Sequence, residues 1–187
     1  MNKEKTTEKI TAAQIAEWKK EHFQVLEVQV DEKIAFVAFP TWRTWKQAVA
    51  AIEKSSIAFA DAILNNGFIA GDKDVATSDD DFLSLHKQFK EVIEFADASV
   101  ERDGGAYIIT IEDKVFKCKP VTREVIDLAE RGNTDNKPFV KNESILKRIL
   151  ISGDEDVLKS KNPYYYVPLL SKVETLFEKK MVSIKKH

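Results

Sequence analysis

The feature that most constrains this chain is an internal repeat. Residues 63–75 read Ile-Leu-Asn-Asn-Gly-Phe-Ile-Ala-Gly-Asp-Lys-Asp-Val, and residues 145–157 read Ile-Leu-Lys-Arg-Ile-Leu-Ile-Ser-Gly-Asp-Glu-Asp-Val. Seven of these thirteen positions are identical at an offset of 82, where about one is expected from average residue usage. The likeness continues on both sides. Asp31-Glu32-Lys33 matches Glu112-Asp113-Lys114, and Pro40 with Arg43 matches Pro120 with Arg123. Downstream, Phe82 falls opposite Tyr164 and Val92 opposite Val173. The order of all these features is kept, so we read a tandem duplication. The organisation expected is an N-terminal tail and helix over 1–21, unit one over 22–97 and unit two over 104–182.

Each unit opens with a hairpin. Val25, Val28 and Val30 lie in a β-rich run, Asp31-Glu32 turns, Ile34, Phe36 and Val37 continue, and Pro40 ends the strand. Ala106–Ile111, the turn Glu112-Asp113 and Lys114–Lys119 repeat the plan, with Pro120 as the stop. Helices follow. Trp42, Trp45, Val49 and Ile52 form one stripe, and Ser55-Ser56 offers a cap for Ile57, Ala60, Ile63 and Leu64, ended by Asn66-Gly67. Phe82, Leu85, Phe89 and Val92 mark a third helix, with Asp79 or Asp80 as cap. Unit two matches with Val125–Leu128, then Ile145, Leu146 and Ile149, then Leu169, Leu170, Val173, Leu176 and Phe177. Pro163 and Pro168 would kink a helix through both, so the last helix is expected to begin at Pro168. Ahead of unit one, Thr11 and Gln14 have the spacing of a capping box, and Ile15 with Trp18 gives a narrow apolar face. The fold class is therefore α+β: two tandem similar units, each a hairpin followed by about three helices, plus one extra N-terminal helix. Arg102-Asp-Gly-Gly105 is the one strong loop signal between the units, and without a long linker they are expected to pack together.

Composition narrows the function classes. The 187 residues carry 29 Lys+Arg against 31 Asp+Glu, a balance unlike the basic face of a nucleic-acid binder. No apolar run has the length of a membrane span, and Met1–Lys9 has no apolar signal-peptide core. One cysteine, Cys118, excludes an internal disulfide framework and fits a reducing cytoplasm.

The search for chemistry nominates no catalytic residue, cofactor or metal site. Asp72, Asp74, Asp79, Asp80 and Asp81 lack the glycine and terminal acid of a calcium loop and read as turn and cap residues, like Asp154, Glu155 and Asp156. Gly71-Asp72 and Gly153-Asp154 lack the further glycines or Gly-Lys-Ser/Thr of a phosphate loop. They read as repeated turns with glycine at positive φ and aspartate bonded to nearby backbone. Cys118, between Lys117 and Lys119, reads as a buried strand thiol, and His86 as a solvated or half-packed helix residue. Trp42 and Trp45 read as core, with partner contact as the alternative. Tyr164-Tyr165-Tyr166 cannot all face one core, so a ring is expected at the surface, where tyrosine suits an interface. The basic tail Lys179-Lys180 to Lys185-Lys186-His187 reads as a solvated end or a contact for an acidic partner.

Several of these motifs also occur together in a known family. The helix Ile10 to Lys19 (Ile-Thr-x-x-Gln-Ile-x-x-Trp-Lys), Pro40 to Thr44 (Pro-x-x-Arg-Thr), the Ile63–Gly67 helix end, Gly71-Asp72 with Val75, and Asp79–Phe82 resemble small proteins of phage and prophage tail modules, of the tail assembly chaperone type. The resemblance covers most of unit one and, more weakly, unit two, and the tandem copy departs from the usual single unit. It implies a non-catalytic protein of the host-cell cytoplasm that coats a helix-rich tape-measure protein before the tube polymerises, with the tube protein as a further candidate partner. It also implies either a monomer with internal pseudo-symmetry or a weak homo-oligomer. A structural tail or head-completion component, and a small enzyme with an unrecognised site, are the alternatives.

Overall fold

A computed structural model describes residues 10–52 and 54–177. Met1–Lys9 and the basic run from Lys179 lie outside the described residues. The chain divides into two compact units, one ending at Glu94 and the other beginning at Phe95. Both are α+β, with separate antiparallel sheets of three and four strands.

In the first unit, helix α1 (Ala12–Glu21) starts with the full capping box: Thr11 accepts from Gln14 N–H and the Gln14 side chain accepts from Thr11 N–H. The hairpin β1 (Val25–Val30) and β2 (Lys33–Ala38) turns at Asp31, whose φ of 53° places it in the left-handed region. Next come α2 (Trp42–Ile52) and α3 (Ser56–Gly67), the latter capped by the Ser55 hydroxyl on Ala58 N–H. Trp45 meets Phe59 edge to face at 5.7 Å and locks the two helices together. A short strand β3 (Phe68–Gly71) then pairs with β2, followed by α4 (Asp74–Thr77), α5 (Asp79–Leu85) and α6 (Phe89–Val92).

The second unit runs β4 (Ala98–Asp103), β5 (Ala106–Ile111), β6 (Lys114–Cys118), α7 (Arg123–Arg131), α8 (Val140–Ile149), β7 (Leu150–Ser152), α9 (Glu155–Ser160) and α10 (Pro163–Thr175). Glu112 turns the β5–β6 hairpin at φ 52°, as Asp31 does in the first unit. The pairing irregularities also correspond. Phe36 faces Ala70 while Val37 faces Phe68, leaving Ile69 as the extra residue; Lys117 faces Ser152 while Cys118 faces Leu150, leaving Ile151. Tyr107, Ile109 and Ile111 form the buried face of β5, and α10 packs against β4 and β5.

The structure departs from the sequence reading at five places. Ala98–Asp103, left between the units, is a strand that Gly104 and Gly105 turn into β5. The strands β3 and β7, of four and three residues, are too short to show the alternation that marks a strand in sequence. The helix expected through Phe82–Val92 is broken by a turn at His86–Gln88. Its N-cap position is Ser78, not Asp79 or Asp80, which lie in the first helical turn and complement the dipole there. Finally, α10 begins at Pro163, with Asn162 capping Tyr164 N–H, and runs on through Pro168.

Candidate functional site

The repeated Gly-Asp turn is structural in both units, by two different means. Gly71 has φ 102°, and a Cβ there would stand 2.3 Å from the Ile34 carbonyl oxygen. Asp72 closes this turn through its backbone, its N–H donating to Ile34 O at 2.8 Å and its carbonyl accepting from Val75. Gly153 lies outside the positive-φ region, contrary to the sequence expectation. It is required instead by contact, since a Cβ would stand 2.5 Å from Phe116 Cδ1. Asp154 caps α9 by accepting from Val157 N–H, which first of all holds its carboxyl below the usual range, with help from Lys114.

Each hairpin is tied to the helical segment that follows its third strand. Lys33 bonds Asp81, a half-exposed ammonium on a largely buried carboxylate, and that bond raises the lysine. In the second unit Lys114 lies between Asp113 at 3.4 Å and Asp154 at 3.3 Å. Tyr164 adds a further tie: its hydroxyl donates to Glu112 at 2.7 Å, and the bonded carboxylate, helped by desolvation, pushes the phenol up to about 12. These acids and bases are spent on holding turns.

The nominated aromatic residues fall into two groups. Trp42 and Trp45 are each 8% exposed and belong to the first unit's core, which leaves them little surface for a partner; Lys46 lies over the Trp42 ring at 5.5 Å. Tyr166 is likewise buried, beside Glu143 and under Lys161. Tyr164 and Tyr165 are half-buried and pack edge to face at 4.8 Å. His86 is buried rather than solvated: its ring stacks on Phe82, and Nδ1 lies 2.8 Å from the Leu83 carbonyl, so this nitrogen carries the hydrogen. Cys118 is buried, and desolvation pushes its thiol up to about 11, which keeps it protonated and inert at neutral pH. Among the described residues no group of three or more His, Cys, Asp or Glu is placed to hold a metal ion.

Sequence reasoning missed two kinds of surface. The first is a sheet face. Val37 points toward Gly67 of α3, so its neighbour Phe36 points to the opposite face. There Trp18 of α1 covers it, ring centroids 5.4 Å apart. The corresponding face of the β5–β7 sheet carries Ile108, Val115 and Lys117, with the bulge residue Ile151 beside them. The second unit has no helix ahead of its hairpin; the extra strand β4 extends the sheet sideways instead. Val115 and Ile151 are each 51% exposed.

The second kind is a cleft that recurs. In the second unit a groove of 530 Å³ runs between α8, the end of α9 and the start of α10. Leu146, Leu150, Leu158 and Tyr166 line it, with Lys147, Arg148 and Lys161 at the rim. Glu143 in its wall is already bonded to Lys161 at 2.6 Å. In the first unit the matching place, between α3, α4 and α5, is a smaller cleft of 180 Å³ lined by Ile57, Asp61, Asp79 and Phe82. Its surroundings are acidic where the second unit's are basic.

No helix among the described residues is long and apolar enough to cross a membrane. Comparison with known proteins returns no matching family model, curated sequence or solved structure.

Proposed function

We propose that this protein is a non-catalytic binding protein of the tail assembly chaperone type, which holds helical segments of a tape-measure-like partner before assembly. One observation carries the reading beyond the motif resemblance. On the outer face of the first sheet, Trp18 of α1 covers Phe36 and leaves Ile34 37% exposed, whereas on the equivalent face of the second sheet Val115 and Ile151 are each 51% exposed. A partner helix laid there would take the place that α1 takes in the first unit. A tape-measure chain is rich in apolar helical stripes, and covering them prevents self-association. Duplication of the unit would raise the effective concentration of a second contact.

The test is to sequence the DNA flanking this gene, to co-express the chain with a very long helical protein encoded there, and to recover a complex. The expected result is a soluble complex that is weakened at least tenfold by Val115→Asp with Ile151→Asp, both surface changes. A partner that is equally soluble alone, or that binds the double variant unchanged, overturns the reading. Mass spectrometry of purified particles decides against the alternative of a retained structural component if the protein is missing from them.

A further inference from the structure

The two clefts carry opposite charge, and exposed apolar side chains stand on two of the helices that form the smaller one. Ile57 and Asp61 are one helical turn apart on α3 and share a face; Asp79 and Leu83 do the same on α5. Ile57 is 44% exposed and Leu83 50% exposed, so both offer apolar area for a contact. Asp61 accepts from the Asn65 side chain at 2.6 Å and forms no ion pair among the described residues. Asp80 adds a third exposed carboxylate next to Asp79.

The groove of the second unit is the complement. Its floor of Leu146, Leu150 and Leu158 is apolar, and Lys147 and Arg148 stand exposed at its rim. Arg148 is held along α8 by bonds to the Ser144 carbonyl and hydroxyl at 2.9 and 2.5 Å, which fixes its guanidinium in place. Lys161 is already neutralised by Glu143, so the free positive charge of the rim comes from Lys147 and Arg148.

We propose that the groove of the second unit takes the Ile57–Leu83 surface of a second copy of this chain. The apolar pair seats on the leucine floor, and Asp61 and Asp79 face Lys147 and Arg148. The contact is heterologous, using a different patch on each copy, so every copy keeps one patch of each kind for a further neighbour, and association continues past the pair unless a ring closes. Apolar burial supplies the attraction and the charges set the register.

The experiment is analytical ultracentrifugation of the whole chain over a range of concentrations, with no partner present, so that its outcome is independent of any tape-measure binding. The expected result is a mass that rises with concentration beyond the monomer. The association should weaken from about 0.1 M to about 1 M salt, as the Debye length falls from about 10 Å to about 3 Å. Ile57→Ser with Leu83→Ser removes one patch; Lys147→Glu with Arg148→Glu removes the other. Each double variant alone should be monomeric, with association weakened at least tenfold. Mixed together they should form pairs and nothing larger, because each supplies the patch the other lacks. Circular dichroism checks that both variants keep the native fold. A wild-type chain that is monomeric at every concentration overturns the proposal. So does a mixture of the two variants that stays monomeric, or an oligomer that neither variant disturbs.

Discussion

The carbonyl of Tyr164 accepts a hydrogen bond from the backbone N–H of Ala96 at 3.0 Å. In an uninterrupted helix that carbonyl would take the N–H four residues on, but position 168 is proline and has none. The strand-side N–H of Ala96 supplies the missing donor, and α10 runs through Pro168 with its core residues Leu169, Leu170 and Val173 in place. A double-mutant cycle reads this relationship directly. Ala96→Pro should cost about 1–3 kcal/mol, because it leaves the Tyr164 carbonyl without its donor. In a Pro168→Ala background the helix supplies its own donor, and the same change should cost less by about 1 kcal/mol. Additive losses in urea unfolding would mean that the two positions are not coupled.

The two glycines of the repeated turn should fail differently. Gly153→Ala places a methyl group against the fully buried ring of Phe116, and overpacking of this kind costs about 1–3 kcal/mol. Gly71→Ala meets backbone, the Ile34 carbonyl, and adds the strain of φ 102°. Its loss should be the larger of the two. Chemical denaturation of both variants checks the order. A compensating Phe116→Leu should recover part of the Gly153→Ala loss, whereas no side-chain change relieves Gly71→Ala.

How far this was legible in the sequence depends on the length of the signal. The capping box of Thr11 and Gln14, the two hairpins and the α2 stripe each extend over several residues of regular pattern, and all are present as read. The short strands Phe68–Gly71 and Leu150–Ser152 are set by pairing with β2 and β6, a tertiary fact that three or four residues do not announce. Pro168 misled because its helix-breaking effect is normally decided locally, and here Ala96 lies 68 residues away in sequence from the carbonyl it satisfies. The same limit applies to the candidate surfaces. Trp42 and Trp45 attract notice by residue type yet lie in the core, while Val115, Ile151 and the Leu146–Leu158 groove are ordinary residues made notable by what does not cover them.

Tyr164 should titrate late. Its phenol is held up to about 12 by the Glu112 carboxylate it bonds and by desolvation. A raised tyrosine favours the folded state below the ordinary value of about 10. Between about 10 and 12 the unfolded chain has already released this proton and the folded one has not, so stability falls as pH rises through that window. Glu112→Gln keeps a hydrogen-bond acceptor but removes the charge, and should move the phenolate absorbance transition toward lower pH. An unmoved transition would assign the shift to burial alone.

Cys118 should be a reporter of unfolding rather than a reactive site. Its thiol is buried on β6 and held up to about 11, so the thiolate is scarce at neutral pH. A disulfide reagent should label the native protein slowly and only through opening of the second sheet, with full labelling in denaturant. Rapid labelling under native conditions would contradict this burial. Cys118→Ala should cost less than Cys118→Asp, which places a carboxylate in a fully buried site.

Trp18 offers the comparison between the two sheet faces. In the first unit its ring covers Phe36, and α1 contributes little else to the core: no residue of that helix is fully buried. Trp18→Ala would uncover Phe36 and make this face resemble that of the second sheet. The lost aromatic pair and apolar contact should cost about 1–3 kcal/mol. If α1 is held chiefly by this ring, the variant should also show faster amide exchange throughout Ala12–Glu21, while exchange in β4–β6 stays unchanged. Binding of a dye that reports exposed apolar surface should rise in the variant. Unaltered exchange in α1 would mean that Ile15 and the neighbouring backbone, rather than Trp18, keep the helix on the sheet.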